Sequence, residues 1–584
     1  MWLEQCDSFA ELCRSYLPYY LLIVLPIFIV VSPVNPVAAS HELPVYRMHQ
    51  YDLHGTPHGC RSASILLEGR GLSNWRTSRH CVITRLNDLT PDLFYTIKNK
   101  AGALIVMLPK DMTNLTIDEQ QSIALLETTM LTSGEITIPI YFSPWNDNLK
   151  SIVNDLEIGF SKNEPVKSNS EIQSLIDIVS ASGYQVIVSA GQPSPRNDVK
   201  IATIHGKLSG TGAEDKLPTI ALVAYYDSSS VITELSVGAE SNASGVSMLL
   251  ELARIFSALY SISKSRPKFN IVFVLSGGGK LNYYGSKKWL EDQFDGLEGS
   301  VIQDAAYVIC LDAVSLTNNL YLHVSKPPKE NSFGYLFYNE LKNVIDTYNS
   351  NNNNNNNNNN DNDDNDSDNN NLNLEGIHKK INLADESLAW EHERYSIRRL
   401  PAVTISSLRS HDNPLRTSIL DINNLSKTKL DRLYRNTKLI GETLARRLYN
   451  LNSTEILSNP VEISKESLEV WFNYLTSQSR SVPILSDSKN SYNPLVNSLH
   501  EFMQRYLTEV KINSYSADKR DPEFVFYDNT KTIMNIYSVK PAIFDLFLTI
   551  AIAVYLSIIY LAVYKFSNFY YFVERIAGYK NKVA

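Results

Sequence analysis

Cysteine is scarce in this chain: five among 584 residues, two of them (Cys6 and Cys13) in the N-terminal stretch. Cys60, Cys81 and Cys310 remain and allow at most one bridge, so no disulfide framework builds the fold. Positive charge is not in excess either. Net charge is −8, falling to −3 without the five aspartates of residues 361–370, and no basic stripe runs along the chain, which excludes nucleic acid as a partner. No Gly-x-Ser-x-Gly elbow or cysteine-based nucleophile presents itself. The triple glycine 277–279 lacks the Gly-Lys-Ser/Thr spacing of a phosphate loop and reads as a tight strand-end turn.

Long apolar runs are confined to the two ends. Residues 17–31, LPYYLLIVLPIFIVV, follow Arg14 and precede a Pro-rich turn and Val37-Ala38-Ala39. That pattern reads as a signal peptide over 1–39, cleaved after Ala39; an uncleaved anchor is the other reading. Residues 546–564, LFLTIAIAVYLSIIYLAVY, carry no charge and match the ~20 residues needed to cross a bilayer. Lys565, Arg575, Lys580 and Lys582 follow, against a single Glu574, and so place 565–584 in the cytoplasm. The expectation is a type I single-pass membrane protein with its bulk in the lumen of the endoplasmic reticulum. Five Asn-x-Ser/Thr sequons occur, at Asn114, Asn242, Asn365, Asn424 and Asn452. Asn242, expected on an exposed loop, and Asn452 are the expected glycosylation sites.

Between these ends the pattern is α/β. Residues 40–195 read as a small N-terminal α/β lobe, with strands at 103–108 and 136–142 around a helix at 117–130. From 196 to 450 strands at 219–224, 270–275, 307–311 and 400–405 alternate with helices starting near 241 and spanning about 287–293. Such alternation predicts a doubly wound sheet with its loops gathered at the carboxyl ends of the strands. Residues 349–373 are almost pure Asn/Asp and are expected to be a disordered insertion. A long helix is expected at 427–449. Residues 451–545 are expected to form a helical juxtamembrane region with amphipathic stretches at 466–477 and 495–510.

The strand-end loops carry a recognisable framework. One strand end reads Val223-Ala224-Tyr225-Tyr226-Asp227, and the loop after it Gly238-Ala239-Glu240-Ser241-Asn242-Ala243-Ser244-Gly245. Further on come Ser276-Gly277-Gly278-Gly279-Lys280 and Leu311-Asp312. This framework resembles the co-catalytic zinc aminopeptidase superfamily. Its metal site draws on a His-x-Asp, a Gly-Ala-x-Asp-Asn-x-Ser-Gly loop, a Glu-Glu pair, a later Asp and a final His. The resemblance places Tyr225 at the His, Ser241 at the bridging Asp, Gly279 and Lys280 at the Glu-Glu pair, and Arg416 at the final His. Only the carboxylates Asp227 and Asp312 survive. Two carboxylates cannot fill two zinc sites, the general base is gone, and Lys280 and Arg416 would repel a dication. The resemblance therefore implies a pseudo-aminopeptidase without metal, cofactor or catalytic residue. Glu391-His392-Glu393 reads as a hydrogen-bonded structural segment.

Within that superfamily the chain is similar to the nicalin family. The carrying segments include Val45-Tyr46-Arg47-Met48, Leu249-Leu250-Glu251-Leu252-Ala253-Arg254, Val324-Ser325-Lys326-Pro327-Pro328, and the eleven residues 518–528, DKRDPEFVFYD. The resemblance implies association with the Nodal modulator and a small multi-span membrane protein. It also implies a place at the ribosome-bound translocon that inserts multipass membrane proteins, and a link to Nodal signalling. The sequence itself supports only a catalytically silent lumenal domain on one anchor. Phe524 and Phe526, just before the span, are expected to be exposed partner contacts. Two rivals stay open: a nicastrin-like substrate receptor of an intramembrane protease, and an active zinc aminopeptidase.

Overall fold

A computed structural model describes residues 41–161, 183–212, 217–262, 264–296, 299–303, 305–356, 371–385, 387–451, 455–458, 461–486, 492–539, 542–565 and 571. The expected signal peptide, Asn365, Asn452 and almost all of the expected cytoplasmic tail lie outside them.

Two apolar sheets account for most of the core. The larger has eight strands, in the order β16 (Asn373–His378), β15 (Asn319–Val324), β17 (Ala402–Ser406), β14 (Ala305–Leu311), β12 (Thr219–Tyr225), β13 (Asn270–Ser276), β11 (Lys200–Leu208) and β18 (Thr508–Ser516). Its centre is parallel: β12 lies between β13 and β14, and β14 also pairs with β17. Every residue of β12 and β13 is buried, as an uninterrupted apolar run covered on both faces requires. Helix Ser244–Ser261 packs on one face together with helix Lys427–Tyr449, whose Leu433, Ile440 and Leu444 are fully buried. Helix Tyr284–Asp295 covers the other face through Trp289 and Leu290. Helix Ala239–Ser261 is long and apolar enough to cross a membrane, but most of it is buried within the protein, so it is a core helix.

The smaller lobe is a closed barrel. Its strands run β1 (His41–Arg47), β20 (Lys531–Val539), β9 (Gly183–Val188), β4 (Ile65–Arg70), β5 (His80–Arg85), β6 (Ala103–Met107) and β8 (Ile140–Ser143). Helix Asp147–Ser161 contributes Leu149, Ile152 and Val153 to the barrel's core, and helices Pro91–Lys100 and Ile117–Thr132 pack outside. A five-stranded sheet bridges lobe and domain: β10 (Pro195–Arg196), β19 (Phe524–Tyr527), β2 (Gln50–Leu53), β3 (Thr56–Cys60) and β7 (Glu135–Ile136).

The region before the span is not the helical stalk expected for 451–545. Helices Lys465–Thr476, Val482–Leu485 and Pro494–Tyr506 are followed by three strands, one for each sheet. β18 pairs with β11, β19 with β2 and β10, and β20 with β1 and β9. Phe524 and Phe526 accordingly face inward. They are 4% and 1% exposed and pack with Tyr284 and His49, so they are core residues and not a partner surface.

The Asn/Asp tract is also narrower than 349–373. Helix Phe333–Asn356 runs into its first residues, because Phe337, Leu341 and Ile345 anchor the preceding turns in the core. Asn349 then receives the returning chain: its Oδ1 accepts from the Leu372 amide and its Nδ2 donates to the Leu372 carbonyl, both at 3.0 Å. β16 begins at Asn373, and residues 357–370 lie outside the described set.

Helix Ala542–Tyr564 is 23 residues, about 35 Å long, which is enough to cross the ~30 Å hydrocarbon core of a bilayer. Leu546, Leu548, Ile550, Val554, Leu556, Ile558 and Leu561 are each 48–60% exposed. Such a row of exposed apolar side chains suits an apolar surrounding such as lipid.

Candidate functional site

The carboxyl ends of the central strands bring Tyr225, Asp227, Ser241, Gly279, Lys280, Asp312 and Arg416 into one cluster. Asp227, two residues past Tyr225 at the end of β12, is fully buried. Its two oxygens accept backbone N–H groups from Gly279 at 2.6 Å and Lys280 at 3.0 Å. Burial holds its carboxyl above the usual range, although these two donors pull the other way.

Tyr225 fills the middle of the cluster. Its hydroxyl donates to Asp312 Oδ1 at 2.5 Å and lies 3.2 Å from Ser241 Oγ. Asp312 also accepts from Ser406 Oγ at 3.1 Å and stands 3.6 Å from the Arg416 guanidinium. Burial alone would raise the Asp312 carboxyl; Arg416 and Lys280 outweigh it and hold the carboxyl below its ordinary value. Arg416 donates to the Tyr283 hydroxyl at 3.1 Å and to the carbonyls of Ala389 and His411 at 3.3 Å, stacked 4.7 Å over Trp390. Lys280 Nζ donates to Ser241 Oγ at 2.6 Å and sits 5.3 Å over the Tyr225 ring. Burial first, and the neighbouring Arg416 second, push the Lys280 ammonium down to about 7 against the pull of Asp312, Asp227 and Asp421.

Gly279 and Tyr225 form one packing unit. A Cβ at residue 279 would lie 2.3 Å from Tyr225 Cγ and 2.4 Å from its Cδ2, so the tyrosine ring occupies the space a larger residue 279 would need. The slot lined by Tyr225, Tyr283, Asp312, Trp390, Glu391 and Arg416 is too narrow for a water-sized centre.

Several residues of this cluster carry no sequence signal. Asp421 clamps the 238–242 loop, accepting from the amides of Glu240 at 2.8 Å and Ser241 at 3.0 Å. Arg480, fully buried, donates to the carbonyls of Tyr226 at 2.7 Å, Val237 at 3.0 Å and Gly238. Gly238 adopts φ 67°, the left-handed region open to glycine, and a Cβ there would meet the Ser241 carbonyl at 2.4 Å. Glu391 accepts from Ser276 and Ser286 hydroxyls at 2.6 Å each, and burial raises it to about 7 despite them. His392 Nδ1 lies 2.9 Å from Thr404 Oγ1, and burial depresses its pKa to about 3. Glu391, His392 and Glu393 are all buried.

Residues 203–396 match the family model of Peptidase family M28. The zebrafish (Danio rerio) BOS complex subunit ncln is 40% identical over 593 residues, covering 98% of this chain and 99% of its own. The human (Homo sapiens) BOS complex subunit NCLN is 40% identical over 586 residues with the same coverage. A Caenorhabditis elegans protein named Nicalin is 28% identical over 578 residues, covering 95% and 96%. The chain belongs to the nicalin family. Among solved structures, the gamma-secretase component Nicastrin aligns with TM-score 0.55 and 12% identity over 85% of this chain and 99% of its own, which shows a shared fold.

In this nicalin-family chain one expected site is overturned. Asn242 is not on an exposed loop: it is fully buried, with Nδ2 donating to the carbonyls of Leu311 at 2.7 Å and Tyr225 at 3.2 Å. Its Oδ1 accepts from the Gly245 amide at 3.1 Å. A sugar on Nδ2 would displace both bonds and find no space. The sequon marks a structural asparagine that ties the loop between β12 and helix Ser244–Ser261 to the ends of β12 and β14.

Proposed function

We propose that this protein is a non-catalytic scaffold of the endoplasmic reticulum membrane, a subunit of a nicalin-type complex. The observation that carries this is the near end-to-end identity with proteins named as BOS complex subunits. Its partners on this reading are the Nodal modulator and a small multi-span membrane protein. The complex would act at the ribosome-bound translocon in insertion of multipass membrane proteins, with the bulk of the chain in the lumen and a type I span at residues 546–564.

The geometry of the cluster supports the absence of peptidase chemistry. Zinc needs deprotonated ligands with lone pairs directed into one space, and a catalytic site keeps one position open. Here both oxygens of Asp227 accept backbone amides, both of Asp312 accept hydroxyls, and two cationic side chains lie among them. The Tyr225 ring stands where a residue-279 carboxylate would reach inward. The donor set does not fit a metal pair. Tyr225, Ser241, Gly279, Lys280 and Arg416 are on this reading substitutions that convert a metal site into a neutralised structural core.

Affinity purification of the full chain in mild detergent, with mass spectrometry of the captured proteins, tests the reading. Capture of the two named partners with ribosomes supports it. Capture of a presenilin-type protease in their place, or stoichiometric zinc in the purified chain, overturns it.

A further inference from the structure

Five of the seven barrel strands (β4, β5, β6, β8 and β20) run in one direction, and β1 and β9 run in the other. One rim therefore gathers the carboxyl ends Arg70, Arg85, Met107, Ser143 and Val539 with the starts His41 and Gly183. The span leaves from this rim, only two residues separating Val539 from Ala542. The chain also enters the barrel at this rim, through His41. Helix Asp147–Ser161 lies across the mouth, its Leu149, Ile152 and Val153 in the barrel core. Arg85 donates to Asn154 at 2.5 Å and Tyr184 to Asp155 at 2.9 Å, fastening the helix to two strand ends.

We propose that this rim, covered by helix Asp147–Ser161 and the loop at 108–116, rests on the lipid headgroups of the leaflet that the span enters first. Three residues of chain reach at most about 10 Å, and the four helical residues from Ala542 to Asp545 add about 6 Å. A helix about 10 Å across, laid on the rim, bridges most of that distance. Among the described side chains of this helix the exposed ones are polar: Asp147, Asn148, Lys150, Ser151, Asp155 and Glu157. With Asp88, Lys110 and Asp111 beside them, and Arg70 and Arg85 at the strand ends, the named rim residues carry five acidic and four basic groups, a nearly balanced surface. Such a surface suits zwitterionic lipid and lacks the basic cluster that an anionic leaflet recruits, in agreement with the cations that follow the span.

The test uses the full chain with Cys6→Ser and Cys13→Ser; Cys60, Cys81 and Cys310 are buried and shielded from label. One cysteine is then placed at exposed Ser151 or Lys110 on the rim, or at exposed Ser64 or Thr137 at the opposite end. Each variant carries a fluorophore and is reconstituted in phosphatidylcholine–phosphatidylethanolamine nanodiscs with nitroxide-headgroup lipid. Emission from Ser151→Cys and Lys110→Cys should fall about two-fold or more, while Ser64→Cys and Thr137→Cys stay unquenched, being a barrel length from the headgroups. Equal quenching at the two ends, or none at Ser151, overturns the proposal. Quenching at the rim only after a membrane extract is added makes the occupant a protein and overturns it equally.

Discussion

A methyl group at residue 279 would collide with the Tyr225 ring, so the two positions are coupled. Gly279→Ala should cost about 2 kcal/mol, the usual price of overpacking a tight core. Combined with Tyr225→Ala, the loss should be smaller than the sum of the single losses, as expected for residues in contact. Denaturant unfolding of residues 41–539 measures both; strict additivity would show that the ring does not own that space. Glu391 offers a second handle. Its folded pKa of about 7 lies above the unfolded carboxylate value, so the fold binds the extra proton between about 4.5 and 7. Its contribution to stability is therefore present at low pH and lost as pH rises through that window. Glu391→Gln, which can still accept from Ser276 and Ser286, should raise stability by about 3 kcal/mol at pH 8 and change little at pH 4.5. A pH-independent difference in melting temperature would contradict the assignment.

At the scale of elements, β19 carries the clearest consequence. Phe526 is 1% exposed and stacks 5.8 Å from His49, so Phe526→Ala should destabilise the chain by about 3–5 kcal/mol. A melting temperature that does not move, with partner capture lost, would restore the exposed-contact reading. Helix Phe333–Asn356 and β16 lead to another prediction. Replacing 357–370 with a short Gly-Ser linker should leave the melting temperature unchanged, whereas Asn349→Ala loses two hydrogen bonds to Leu372 and should cost about 1–2 kcal/mol. The legible elements were those whose pattern is dense. The all-apolar run of β12 and the long periodic helix Lys427–Tyr449 announce themselves, and the family framework placed seven residues, Gly279 among them, in one cluster. β18 and β20 alternate weakly, with many half-exposed positions, because each packs on one face only. Their pairing partners lie hundreds of residues away, and local pattern holds no record of that. Asp421 and Arg480 were invisible for a related reason: they act on backbone groups, which leave no motif. Asn242 misled because the residues that build a buried loop also spell a sequon.

For the whole molecule, the three strands after residue 506 tie the last stretch before the apolar C-terminal helix into all three sheets. A chain ending at residue 506 leaves β1, β9 and β11 with open edges and should aggregate, while one ending at 539 should purify as a monomer with a single unfolding transition. A well-folded 41–506 fragment would show that β18 to β20 are additions to a finished core.

The pairing of His41 with Ile536 sets a clock. At roughly 5–20 residues per second, a ribosome needs about 25–100 s to travel from one to the other. For that time the first strand waits with an unsatisfied edge, and barrel closure falls in the last moments before the anchor itself is made. Closure of the barrel is then gated by completion of the chain's own synthesis.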